Sequence, residues 1–170
     1  NNAGIEVIVP SLPGFVFSDD INKPGLHSSF AADVMHQLMT KVLGHNTYLA
    51  HGGDFGANIA NRLAVFYPQS VRAIHVMATL PPTFAEPLCA EGKEYKALCD
   101  SWNETHGGYM HIQRTQSQTL AYGLADSPAG LGVWLAEKFW SWCEFEQNLE
   151  EVITREELLT LMSLYWFTNC

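Results

Sequence analysis

Apolar positions in the first half of the chain alternate between the spacing of strands and that of helices. Residues 5–9, I-E-V-I-V, form a short β-branched run ended by Pro10 and predict a buried strand. The loop P-S-L-P-G-F-V-F-S-D follows, rich in residues that fix turns. Ser28 or Ser29 then caps a predicted helix whose Phe30, Val34, Leu38 and Val42 share one face, with Gly44 just past its end. Residues 47–51 predict the next strand, a helix runs from about residue 55 to Tyr67 and stops at Pro68, and residues 71–77 predict a third strand. Short strands alternating with helices imply parallel strands joined by right-handed crossovers. In such a sheet ligands meet the C-terminal strand ends, where both the Pro10 loop and residue 54 would lie.

After Pro81 and Pro82 no further strand is convincing and helical stretches follow one another, which predicts a helical insertion. Ser127 as cap and Pro128 at the first position mark one helix, with aromatic and aliphatic residues on more than one face, as expected of burial on two sides. Another starts at Thr154, where Glu157 completes a capping box, and carries Leu158, Leu161, Met162 and Tyr165 on one stripe. The division expected from this pattern is an α/β core over 1–82 and a helical region over 83–170.

The chemistry concentrates in T-Y-L-A-H-G-G-D-F-G-A-N-I-A-N-R-L, residues 47–63. Asp54 stands between Gly52 and Gly56, after an apolar strand-like run and before a helix-like one, which is the pattern of a nucleophile elbow. The glycines are expected because a strand-to-helix turn crowds the backbone on either side of its central residue. A carboxylate held there attacks a saturated carbon to leave an enzyme ester, which points to epoxides or alkyl halides. The competing reading makes Asp54 the N-cap of the helix, since aspartate is favoured there.

Composition narrows the field. The 170 residues are 47% hydrophobic and 16% charged, enough to bury a core. With 18 acidic against 9 basic residues and no basic stripe, nucleic acid is not an expected partner. No apolar run approaches the roughly 20 residues that span a bilayer, so a cytoplasmic location is expected, with an upstream anchor left open. Cys89, Cys99, Cys143 and Cys170 lack both zinc-site spacing and disulfide density, and are expected as reduced, partly buried thiols. The seven histidines include no pair suited to a metal.

Four ordered segments resemble the epoxide hydrolase branch of the α/β-hydrolase superfamily, and more closely its microsomal type with its fungal relatives. They are V-P-S-L-P-G-F-V-F-S-D from Val9, G-G-D-F-G from Gly52, G-Y-M-H-I-Q-R-T with D-S-P-A-G-L-G-V-W-L-A-E-K-F, and S-L-Y-W-F-T near the end. The resemblance implies a partial α/β-hydrolase fold, with parallel strands and helices on both faces, plus a helical cap over 83–170. It makes Asp54 the nucleophile, Tyr109 and Tyr165 the donors to the epoxide oxygen, the Phe55 amide one half of the oxyanion hole, and Phe15 a wall of the pocket. For both tyrosines, core packing is the alternative. Tyr122, Trp134, Trp140 and Trp142 are expected as packing or cavity lining.

The family also uses an H-G-x-P segment ahead of the first strand seen here, and an acidic residue and histidine after the cap. Neither His51 nor His111 is placed to replace that histidine, so the chain is expected to be part of a longer protein, or a truncated product. The expected activity is conversion of a small apolar epoxide to a vicinal diol, without a metal or cofactor, because water and protein groups suffice. A haloalkane-type dehalogenase and a catalytically inactive fragment are the alternatives, and phenylalanine at 55 argues against the dehalogenase, which uses an indole donor there. Oligomeric state is left open.

Overall fold

Two strands, β1 (Tyr48–Gly53) and β2 (Val71–Met77), pair in parallel, with Ala50 opposite Ile74, His51 opposite His75 and Gly52 opposite Val76. Parallel neighbours need a crossover, and here it is the helix α2 (Phe55–Phe66). The computed structural model describes residues 4–19, 21, 23–77 and 88–170. It divides into two compact units: Asp20–Glu86, and a second made of Asn1–Asp19 with Pro87–Cys170. The change of pattern at Pro81 and Pro82, and with it the boundary expected between 82 and 83, lies outside the described residues.

In the first unit α2 buries Ala57, Ile59, Ala60 and Leu63, a helical stripe laid on one face of the sheet. Burial of Ile59 and Leu63 contributes about 2 kcal/mol each. The helix stops at Tyr67 because Pro68 disfavours helical backbone in the residue before it and has no amide to continue the ladder. A second helix, α1 (Ser28–Gln37), packs on α2. Its tie to the sheet is polar and aromatic: the His36 ring stacks on Tyr67 at 3.6 Å, and its Nδ1 is 3.0 Å from the Tyr48 hydroxyl. The Tyr67 hydroxyl donates to Asp33 at 2.6 Å. Accepting that bond leaves the carboxylate favouring the protonated phenol, so Tyr67 titrates above its ordinary range. Burial pushes the Tyr48 phenol up as well.

Two expectations for this unit are corrected. The first helix is N-capped by His27, with no side-chain capping bond, because Ser28 Oγ accepts from Arg62 Nε at 2.7 Å instead. It also does not stay α-helical to its end: Leu38–Val42 widens into a π turn, with Leu43 N–H reaching Leu38 O, and Val42 is left exposed before Gly44 at φ +75°. Within this unit the described helices α1 and α2 lie together, and α2 packs on one face of the sheet. Leu49, His51, His75 and Met77 stand exposed on the other, and the two histidine rings stack there at 4.9 Å.

The second unit is helical: α3 (Ala90–His106), α4 (Gly108–Thr115), α5 (Ser117–Asp126), α6 (Pro128–Trp142) and α7 (Arg155–Thr168), with a 3-10 turn at Leu149–Glu151. Its caps fall where local chemistry puts them. Ser127 Oγ accepts from Gly130 N at 3.0 Å with Pro128 at the first helical position, and Thr154 and Glu157 close a full capping box. A second capping box, Asn148 with Glu151, opens the 3-10 turn.

Residues 5–9 are not a strand. Ile5, Val7 and Val9 are 74%, 74% and 85% exposed, and a β-branched run becomes a strand only when a neighbour satisfies its backbone; the described residues of this unit contain no strand. Nor is α6 buried on two sides: Leu131 and Gly132 are buried, while Val133, Trp140 and Trp142 are exposed. The four cysteines are free thiols, with Cys89 and Cys170 exposed rather than partly buried. Among the described residues no helix is long and apolar enough to cross a membrane.

Candidate active site

Asp54 joins β1 to α2 with φ 49° and ψ −121°, a conformation that costs a side-chain-bearing residue on the order of 1–3 kcal/mol. The turn is tight enough to explain Gly52. A Cβ on Gly52 would stand 2.2 Å from the carbonyl carbon and oxygen of Gly56, inside any allowed contact. The expectation for Gly56 itself is corrected, because a Cβ there would meet open space. What the elbow demands is a bare Gly52, so that the first turn of α2 can fold back over the end of β1.

The N-cap reading is resolved by the same geometry. Asp54 does occupy the cap position, and its carbonyl accepts from Ala57 N at 3.1 Å. Its side chain makes no capping hydrogen bond and is presented to solvent. The backbone at Asp54 is thus strained without a capping bond from its side chain. Directly after it comes Phe55, the first residue of α2, whose amide belongs to the orphan donors of a helix start and adds to the positive end of the helix dipole. The Phe55 side chain is exposed.

The remaining candidates lie in the other unit. Phe15 is half-exposed in the Pro-Gly loop, which closes on itself: Phe15 N–H donates to Leu12 O, Gly14 N–H to Asp19 O, and Ser18 Oγ to Ser11 O. The next residue, Val16, sits at φ 48°, rare for a β-branched side chain.

Tyr109 is the second residue of α4. The chain enters that helix through Gly107, where a Cβ would lie 2.4 Å from Asn103 O, so α3 and α4 meet at a junction that admits only glycine. The Tyr109 ring is half-buried, tilted 56° against Trp142 at 4.9 Å, with Lys138 Nζ 4.8 Å from its centre. Trp134 holds the same ammonium from another side at 4.7 Å. Glu137 accepts from Lys138 and from Ser141, which holds its carboxyl below the usual range.

Tyr165 lies on α7, whose main neighbour is α6. It shares the half-buried stripe of Leu158, Leu161 and Met162, and the Met162 side chain fills the space beside Gly132 of α6. His51 is engaged with His75, Nδ1 to Nδ1 at 2.9 Å, and His111 lines an open groove along α3 and α4. No group of three or more His, Cys, Asp or Glu suited to a metal occurs among the described residues. The sequence does not single out Lys138, whose setting arises only where the rings of α4 and α6 surround it.

The sequence profile of the alpha/beta hydrolase fold family matches residues 1–111. The chain is 38% identical over 168 residues to a candidate epoxide hydrolase of Stigmatella aurantiaca, covering 96% of this chain and 38% of that protein. It is 33% identical over 195 residues to the juvenile hormone epoxide hydrolase of Bombyx mori, covering 99% of this chain and 41% of that one. The structure of the Aspergillus niger epoxide hydrolase superposes with a TM-score of 0.77 at 28% identity, over 94% of this chain and 41% of that one. The chain thus spans about two fifths of the length of the relatives it matches.

Proposed function

Because the chain belongs to the alpha/beta hydrolase fold family, we propose that it carries the nucleophile and a proton donor of an epoxide hydrolase that turns a small apolar epoxide into a vicinal diol. The observation that carries the proposal is Asp54: an uncapped carboxylate on a strained elbow, fixed by the close approach of Gly52 and Gly56. Relatives named as epoxide hydrolases support the substrate class.

In the first step a carboxylate oxygen of Asp54 attacks a ring carbon of the epoxide. The C–O bond on that carbon breaks and its electron pair stays on oxygen, where the Tyr109 phenol donates its proton to the developing alkoxide. A phenol with an ordinary pKa of about 10 is protonated at neutral pH yet acidic enough to serve a strongly basic oxygen. The product is a hydroxyalkyl ester of Asp54. The Phe55 amide, with the helix dipole behind it, supports negative charge on the carbonyl oxygen when water adds to that ester and releases the diol. This second step takes a base to activate water, the role the family gives to its later acidic residue and histidine.

Tyr165 enters the proposal as the second donor on its matched segment alone, and Phe15 as a wall of the pocket. The test is incorporation: a single exposure to an aryl epoxide adds one hydroxylamine-labile epoxide mass per chain, and Asp54→Asn takes up none in that form. Equal uptake by the variant overturns the proposal.

A further inference from the structure

The ammonium of Lys138 stands in a box of aromatic rings, 4.8 Å from the centre of Tyr109, 4.7 Å from Trp134 and 5.5 Å from Trp142. A lysine on a helix surface ordinarily runs its head into water; here only 18% of the side chain is exposed. The desolvation of that charge is offset by the ring faces, which attract cations through their quadrupoles, and by the Glu137 carboxylate beside it.

The box matters because α4 cannot hold its tyrosine by itself. The helix has eight residues and none of them is buried, and helices of that length are not stable alone in water. From α6, Trp142 packs tilted against the Tyr109 ring and Lys138 stands over its face. We infer that Lys138 is a positioning residue: through its cation–π contact it holds the Tyr109 phenol in the orientation from which the hydroxyl serves the epoxide oxygen, without touching the substrate. The inference rests on the reading of Tyr109 as the donor.

The test uses the whole 170-residue chain labelled with 3-fluorotyrosine, the Tyr109 resonance being identified by its loss in Tyr109→Phe. In Lys138→Gln, which keeps a polar side chain but no charge, the Tyr109 fluorine resonance shifts. The limiting rate of ester formation on Asp54 falls about 2- to 30-fold, the span of a cation–π contact, while the half-saturating epoxide concentration stays the same. Lys138→Arg, whose guanidinium also binds ring faces, restores both. Lys138→Met takes the place of the glutamine variant should that one not fold.

An unmoved resonance together with an unchanged limiting rate in the uncharged variant overturns the inference. If Tyr109→Phe slows ester formation and Lys138→Gln does not, the role of Lys138 falls while the donor reading stands. If Tyr109→Phe forms the ester at the parent rate, the donor reading falls and takes the role of Lys138 with it, wherever the resonance lies.

Discussion

Gly52 and Gly56 approach so closely across the elbow that a Cβ on Gly52 would lie 2.2 Å from the Gly56 carbonyl carbon, while a Cβ on Gly56 would touch nothing. Two glycines that look equivalent in sequence are therefore unequal. Gly52→Ala forces backbone apart and is expected to cost about 3 kcal/mol, the upper part of the overpacking range because no side chain can move aside. Gly56→Ala is expected to be neutral or stabilising by up to about 1 kcal/mol, since alanine is the better helix former. Urea unfolding of both variants checks the pair.

That asymmetry separates what the sequence shows from what only packing shows. Caps are legible because their chemistry is local: Ser127 with Pro128, and Thr154 with Glu157, sit where the spacing predicts. The strand at 71–77 and the helix before it are legible because β-branched and helical runs are punctuated by Pro68. Residues 5–9 have the same local pattern and no strand, because pairing depends on a neighbour that the run itself does not specify. Ser28 looks like a cap until Arg62, 34 residues on, takes its hydroxyl. At the site, Asp54 is legible from the glycines around it. Lys138 is not, because its meaning arises only when α4 and α6 bring three rings around it.

The Thr154–Glu157 box carries a pH dependence of definite sign. Hydrogen bonds from the Thr154 hydroxyl and amide hold the Glu157 carboxyl below its ordinary value of 4.5. A depressed folded-state pKa contributes stability above the unfolded value, which is lost as pH falls through the folded one. The first turn of α7 therefore frays in acid below about pH 4.5. Glu157→Gln removes that dependence, read by amide exchange at residues 154–158.

Tyr67 has the opposite sign. Its phenol is raised from 10.0, chiefly by the bond to Asp33. The stability it contributes is complete below the unfolded value and is lost as pH rises through the folded one. Tyr67→Phe is expected to cost about 1 kcal/mol at neutral pH, the net worth of one partly exposed hydrogen bond. It also flattens the alkaline limb, so melts at pH near 7 and near 11 differ less in the variant than in the parent.

The phenol variants decide how many donors act. Tyr109→Phe is expected to slow ester formation from an epoxide about 100-fold, the scale of one lost donor to a developing oxyanion. Alkylation by an alkyl bromide, whose leaving group needs no proton, changes little. Tyr165→Phe answers separately: a loss on the same scale makes it a second donor, and an unchanged rate assigns it to the stripe it shares with Met162.

The central claim is that the elbow carboxylate is the nucleophile, and the most direct measurement is to find the atom an epoxide attaches to. Exposed thiols, Cys89 and Cys170, open epoxides too, and form thioethers that resist hydroxylamine, whereas an ester on Asp54 is cleaved by it. Peptide mapping of the chain after a single exposure to an aryl epoxide should place one hydroxylamine-labile adduct on Asp54. An adduct confined to cysteine or histidine, with Asp54 unmodified, would contradict the account.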